Sequence, residues 1–265
     1  MWVESPSYVL RRWTVLRELR DVPPGRLLEI GCGAGDLLAR LVGKGFSGTC
    51  VEVSPAARAE ATERLRRLPT PVPVVEALDE IEGVFDLVIA CEVLEHIEDD
   101  RRALREWFER VAPGGRLLLT VPAHPRRFGA SDVWAGHFRR YERAELIEKL
   151  EEVGFGIERC TCYGFPLGNV LEPIRNLVNR YRLRKRGDVD RVEGTLRSGV
   201  ERDVEKRLRW LALPVFVLPF CWLQLPFFET NRGTGYLSVA RREEGPRRNP
   251  VTIRSGSAAR REPSE

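Results

Sequence analysis

Three glycines at alternate positions, Gly31, Gly33 and Gly35, follow a short apolar run in LEIGCGAGD, residues 28–36. Bare backbone at that spacing lets a ligand come close to the main chain, so the stretch reads as a binding loop. A dinucleotide-binding fingerprint would need glycine at position 36, where Asp36 stands. A second chemistry-bearing stretch is AHPRRFGASDVWAGHFRRYERAEL, residues 123–146. It holds His124 and His137, and it sets Arg126, Arg127, Arg139, Arg140 and Arg143 against Asp132 and Glu142. Histidine suits proton transfer near neutral pH, and arginine forks suit phosphate or carboxylate, so an anionic acceptor fits Arg139 and Arg140; the alternative is a solvated loop held by its own hydrogen bonds. Trp134, Phe138 and Tyr141 are interleaved with these charges and either stack on a substrate ring or anchor the loop. The third histidine, His96, follows Glu95 and reads as structural. Six cysteines show no CxxC and no paired Cys/His spacing, which predicts no metal and a reducing compartment.

The elements that must position these groups alternate between β-like and helical patterns, as in a parallel sheet covered by helices. Strands are expected at residues 26–31, 48–54, 71–77, 85–93 and 115–123, then at 156–165 and 234–242. Helices are expected at 36–45, after Ser54-Pro55, at 99–111 and at 142–155, with serine as N-cap and proline at the first helical position in the second of these. The glycine loop therefore lies at the carboxyl edge of the sheet, where open α/β folds bind ligands. A net charge of +4 over 265 residues does not mark a nucleic-acid binder. The start, MWVESPSYVLRRW, lacks the pattern of a signal peptide, which predicts a cytoplasmic protein.

In four motifs the chain resembles the class I S-adenosylmethionine-dependent methyltransferases, in particular the methyltransferase type 11 and ubiquinone-biosynthesis O-methyltransferase group. The motifs are LEIGCGAGD, Glu52 in VEVSP, FDLVIACEVLEHIED and APGGRLLLTVP, in order over residues 26–155. The resemblance implies S-adenosyl-L-methionine as cofactor on a Rossmann-like, seven-stranded α/β methyltransferase sheet with helices on both faces. It implies that Glu29, Gly31, Gly33 and Gly35 form the loop, and that Glu52 takes the ribose hydroxyls as a carboxylate can. It also implies that Ala77 and Leu78 lie against adenine, and that Cys91 and Glu92 border the methionine part. For Cys91, plain core packing is an equal reading. Methyl transfer is an in-line displacement, so a base is needed only if the acceptor must lose a proton. In the resembling fold residues 123–146 overhang the acceptor, which makes His124 or His137 the candidate catalytic base and Arg139, Arg140 and Tyr141 candidate substrate contacts.

The departure from this pattern is a helical insertion between the last two strands. About 65 residues intervene there, far more than an ordinary connection. It opens with a helix ending in the basic cluster Arg180, Arg182, Arg184, Lys185 and Arg186, and later runs through residues 210–228 with no charged residue. That run is long enough for a bilayer span, but Pro214, Pro219 and Pro226 oppose one, and a single crossing would strand the last β-strand on the wrong side. A peripheral contact at the inner face of a membrane fits, as does a buried lid or a subunit contact. The organisation expected is an N-terminal helix at 1–24, a methyltransferase domain at 25–165 plus 234–242, the insertion at 166–233 and a disordered tail at 243–265. The activity expected is methyl transfer to a small-molecule, lipid or lipid-linked acceptor. Alternatives are a soluble metabolite or glycan acceptor, or a non-catalytic cofactor-binding membrane adaptor. Nucleic acid is disfavoured as a partner.

Overall fold

The computed structural model describes residues 4–186, 191–198 and 214–244. Apolar runs become the strands β1 (Arg26–Ile30), β2 (Ser47–Val51), β4 (Phe85–Cys91), β5 (Val111–Pro122), β6 (Phe155–Tyr163) and β7 (Gly235–Arg242), of which β1, β4, β5 and β7 are the most deeply buried and β6 lies at an edge. The edge strand β3 keeps only Val74–Val75, because Pro71 and Pro73 cannot donate to a ladder. The sheet order is β3-β2-β1-β4-β5-β7-β6, with β7 antiparallel to both of its neighbours and the other pairs parallel. The order reverses between β1 and β4, and this switch point opens a crevice at their carboxyl ends.

The turn at Pro113-Gly114-Gly115 does not end a strand. It is absorbed into β5, where the pairing with β4 jumps from Phe85↔Val111 to Leu87↔Arg116 and Gly114 takes φ +76°.

Helices start where a side chain can satisfy a free amide. Ser5 accepts from the Tyr8 amide at the head of α1 (Pro6–Glu18). Asp99 accepts from the Arg102 amide at the head of α4 (Asp100–Arg110). On one face of the sheet, α4 and α6 (Arg143–Val153) bury Leu104, Trp107, Leu146 and Leu150 against β4 and β5. On the other, Val15 of α1, Leu38 of α2 (Asp36–Val42) and Ala61 of α3 (Pro55–Leu65) close over β1 and β2.

Among the described residues between β6 and β7 stand three further α-helices, α7 (Leu167–Arg186), α8 (Arg191–Ser198) and α9 (Pro214–Leu223). A short helix inside the 123–146 stretch, α5 (Ala130–Ala135), carries no strong period in the sequence. Helix α9 is half spent on the core, since Val217 and Cys221 are buried against Val9 and Leu10 of α1. No helix among the described residues is long and apolar enough to cross a membrane. Most of the tail expected to be disordered, and residues 210–213 of the uncharged run, lie outside the described residues.

Candidate functional site

All three glycines of the loop adopt left-handed φ values, +70° at Gly31, +56° at Gly33 and +72° at Gly35. Gly31 has a second constraint, because a Cβ there would lie 2.4 Å from Cγ2 of Val93. The loop is thus wedged against the end of β4. Glu52 ties it to the end of β2: one carboxylate oxygen accepts from the Gly33 amide at 2.7 Å and the other from the Ser54 amide at 2.9 Å. A carboxylate has about four acceptor positions, so each oxygen retains one for a ligand hydroxyl. Past β3, Ala77 and Leu78 begin a 3-10 turn in which Glu80 accepts from the Glu76 and Ala77 amides. This turn adjoins Glu52, whose amide donates to Val75 O.

Deeper in the crevice, Glu29 is 3% exposed and its Oε2 has no hydrogen-bond partner. Burial, with the charges of Asp36 and Glu52 adding to it, pushes this carboxyl up to about 8. Glu92 sits at φ +57°, turned so that Oε1 accepts from Tyr163 Oη at 3.1 Å and Thr120 Oγ1 at 3.2 Å. Its Oε2 lies 3.7 Å from the Arg11 guanidinium. Burial opposes the charge on Arg11, but Glu92 together with Tyr163, Cys91 and Tyr8 outweighs it, so the guanidinium is held above its ordinary value. Burial likewise pushes the neighbouring Cys91 thiol up to about 12, as for an inert packing group. Helix α1 is pinned over this crevice by Asp36, which accepts from Tyr8 Oη at 2.9 Å and from Arg12 at 2.8 Å.

Arg11 and Tyr163 lie outside the four motifs, and Thr120 lies inside APGGRLLLTVP without having been singled out. Arg11 was legible only as part of an amphipathic N-terminal helix, and Tyr163 only as the end of a strand.

The two candidate bases part company. His137 donates from Nδ1 to Asp132 Oδ1 at 2.9 Å, and its Nε2 faces Glu95 Oε1 at 3.8 Å. Burial opposes ionisation of Asp132, yet hydrogen bonds from His137 and Arg140 hold its carboxyl down to about 2. Glu95 is fully buried and neither carboxylate oxygen accepts a hydrogen bond; burial, with Glu92 adding, raises its carboxyl well above the usual range. His96 stacks edge-on to His137 at 4.6 Å and reaches Thr195 of α8 through Nδ1 at 3.1 Å. Burial and the nearby His137 drop His96 to about 3. Glu95, His96 and His137 each offer a donor atom within 4.8 Å of the others, a convergence of metal-ligand types that sequence spacing did not reveal. His124 stands apart at φ +64°, with Nε2 unpartnered and its ring against Tyr236 at 5.7 Å. Burial and Arg127 lower its pKa.

The three expected substrate contacts all have partners within the protein. Arg140 is buried and forks onto Asp132 through Nε and Nη2, both at 2.8 Å, while Nη1 reaches Glu172. Tyr141 is fully buried, with its hydroxyl on Asp100 at 3.0 Å. Arg139 pairs with the same Asp100 at 3.2 Å and with Glu98 O. The sequence set these arginines beside Asp132 but did not show that Glu172 and Asp100, from other elements, pair with them as well. Arg140 thus ties this stretch to α5 and α7, and Tyr141 ties it to α4.

A methyltransferase-domain family model matches residues 5–159. The mitochondrial ubiquinone biosynthesis O-methyltransferase of Schizosaccharomyces pombe is 36% identical over 113 residues, covering 40% of this chain and 41% of that protein. The ubiquinone biosynthesis O-methyltransferase of Xanthomonas euvesicatoria pv. vesicatoria is 30% identical over 188 residues, covering 64% and 75%. The chain thus spans less than half the length of the first relative and three quarters of the second. Among solved structures, the [4+2]-cyclase SpnF aligns with a TM-score of 0.58 at 17% identity, over 92% of this chain and 88% of that one. A methyltransferase from Mesorhizobium loti aligns with a TM-score of 0.55 at 17% identity, over 87% and 97%. These two likenesses establish the fold alone. With the glycine loop, the acid at the end of β2 and the family match in register, the chain belongs to the class I S-adenosylmethionine-dependent methyltransferases, of the ubiquinone O-methyltransferase kind.

Proposed function

We propose that this protein transfers a methyl group from S-adenosyl-L-methionine to a small, lipid or lipid-linked acceptor. The crevice fits the cofactor in three places. Glu52 offers free acceptor positions to the ribose hydroxyls, Arg11 offers a cation to the methionine carboxylate, and the orphaned Oε2 of Glu29 offers an acceptor to its ammonium. When bound, the cofactor supplies an electrophilic methyl on a sulfonium. The chain's own part is to align the acceptor, exclude water and take a proton where the acceptor is a hydroxyl. His137 is the base, because Asp132 holds its Nδ1 and leaves Nε2 to receive the proton. Arg140 in turn holds Asp132 from the far side.

The observation that carries the acceptor class lies on α9, which presents Phe216, Leu218, Trp222 and Leu223 to solvent beside a buried inner face. Exposed aromatic and aliphatic side chains in one insertion suit a peripheral membrane contact. A second reading, a soluble metabolite or glycan acceptor under a lid, is favoured by α8. That helix lies across the crevice, accepting at Leu196 O from Ser54 Oγ at 2.7 Å while Thr195 meets His96.

Transfer of radiolabelled methyl from the cofactor into a crude cell extract, followed by phase separation, decides between these. Label in the organic phase supports the lipid reading, and label in the aqueous phase alone supports the second. Cofactor binding with no label in either phase leaves the non-catalytic adaptor.

A further inference from the structure

Helix α7 is amphipathic in the reverse sense. Its inward face is polar: Glu172 and Asn179 are buried, Glu172 accepts from Arg140, Asn179 donates to Ser131 Oγ at 3.2 Å, and Asn176 accepts from the Ser131 amide at 2.9 Å. Its outward face is apolar: Val170, Ile174, Leu177, Val178 and Tyr181 are 43% to 68% exposed. At 100° per residue these five fall within about 100° of one another around the axis. Arg175 and Arg180 flank that stripe on opposite sides, and Arg184 and Lys185 close its carboxyl end. A helix that turns five apolar side chains to water over three turns is incomplete without a cover.

The charge around the stripe says what covers it. Two copies of this chain meeting stripe to stripe would bring arginine against arginine, whereas anionic headgroups complement every flanking residue. A groove of about 570 Å³ adjoins the stripe, lined by Arg127, Asn169, Glu172, Asn176, Leu177 and Arg180. Leu177 belongs to both, so a phosphate held between Arg127 and Arg180 would leave its hydrocarbon chains on the stripe. The groove also connects to the reaction centre, because Glu172 holds Arg140, which holds Asp132, which holds His137.

We propose that α7 is the membrane-docking element of this protein and binds the surface of an anionic phospholipid bilayer, apolar stripe inward and phosphate in the groove. The proposal rests on the membrane-facing reading of the insertion and moves the main contact from the uncharged run to α7.

Flotation of the full chain with phosphatidylcholine vesicles, with and without phosphatidylglycerol, tests it. Binding is expected only to the anionic vesicles, weakened by salt, and reduced about tenfold or more by Ile174→Glu and by Arg180→Glu. Circular dichroism and affinity for S-adenosylhomocysteine should match wild type in both variants, which separates lost docking from lost fold. Excess inorganic phosphate should not release the vesicles if the chains on the stripe carry the affinity; release by phosphate alone would reduce the site to an anion pocket and overturn docking. Equal binding by wild type and both variants, no binding to anionic vesicles, or a dimer in solution that Ile174→Glu dissolves would each overturn it too. A failure here with methyl label still in the organic phase would leave the lipid acceptor standing and remove only the docking element.

Discussion

The crevice at β1 and β4 and the helix α7 use charged and apolar residues in opposite ways. In the crevice, acids are withdrawn from water and left partly unsatisfied, with Glu29 and Glu95 both buried and carrying orphaned oxygens. On α7 the buried Glu172 and Asn179 are satisfied by the protein and the apolar groups are left facing out. Each region is short of a partner of the chemistry it lacks: donors in the first, hydrocarbon in the second. Function in this chain is therefore written in what the fold leaves unfinished, and the two deficits call for different ligands.

The sharpest way to break the comparison is His137→Ala. If the crevice's polar groups handle a proton, kcat should fall by about 10²- to 10⁴-fold while the affinity for the cofactor stays within about twofold. An unchanged kcat would make the Asp132–His137 pair a structural tie and direct attention to His124.

Gly31→Ala should come next. It forces a side chain into φ +70° and against Val93, so cofactor affinity should drop by about tenfold or more in a protein that still folds.

Asp132 sharpens the comparison through pH. Its carboxyl is held near 2 in the fold against about 3.8 when unfolded, so its ionised form contributes about 2 kcal/mol. That stability is fully present above about pH 4 and is lost as pH falls toward 2. Asp132→Asn should erase this portion of the acid denaturation curve and lower stability at pH 7, since Arg140 would be left with one buried partner fewer.

The smallest effect belongs to Arg139→Ala. With its guanidinium half outside and already paired to Asp100, the acceptor KM should change less than about twofold.

The loop glycines, Glu29, Glu52, Cys91 and Glu92 were legible because strand ends set their positions through backbone geometry alone, and linear spacing encodes that. The Asp132–His137–Glu95 convergence was not, because it joins α5, the stretch after it and the turn following β4 through side chains. For the same reason the sequence did not show that Arg140 and Tyr141 are buried against Asp132 and Asp100. The number of strands and the insertion were readable from alternation and length, whereas β3 shrank because two prolines withhold donors that a hydropathy pattern does not register. The outward stripe on α7 has the ordinary helical period, and only the position of Glu172 and Asn179 in the fold reveals which face is buried.

The most direct test of the central claim is calorimetric titration of S-adenosylhomocysteine into wild-type protein and into Glu52→Ala at pH 7, in buffers of different ionisation enthalpy. One site per chain is expected, with an affinity loss of about tenfold or more in the variant and net proton release in the wild type as Glu29, whose carboxyl is pushed up to about 8 in the free protein, ionises against the ligand ammonium. Equal affinities for the two proteins would contradict it, and so would the absence of binding to either.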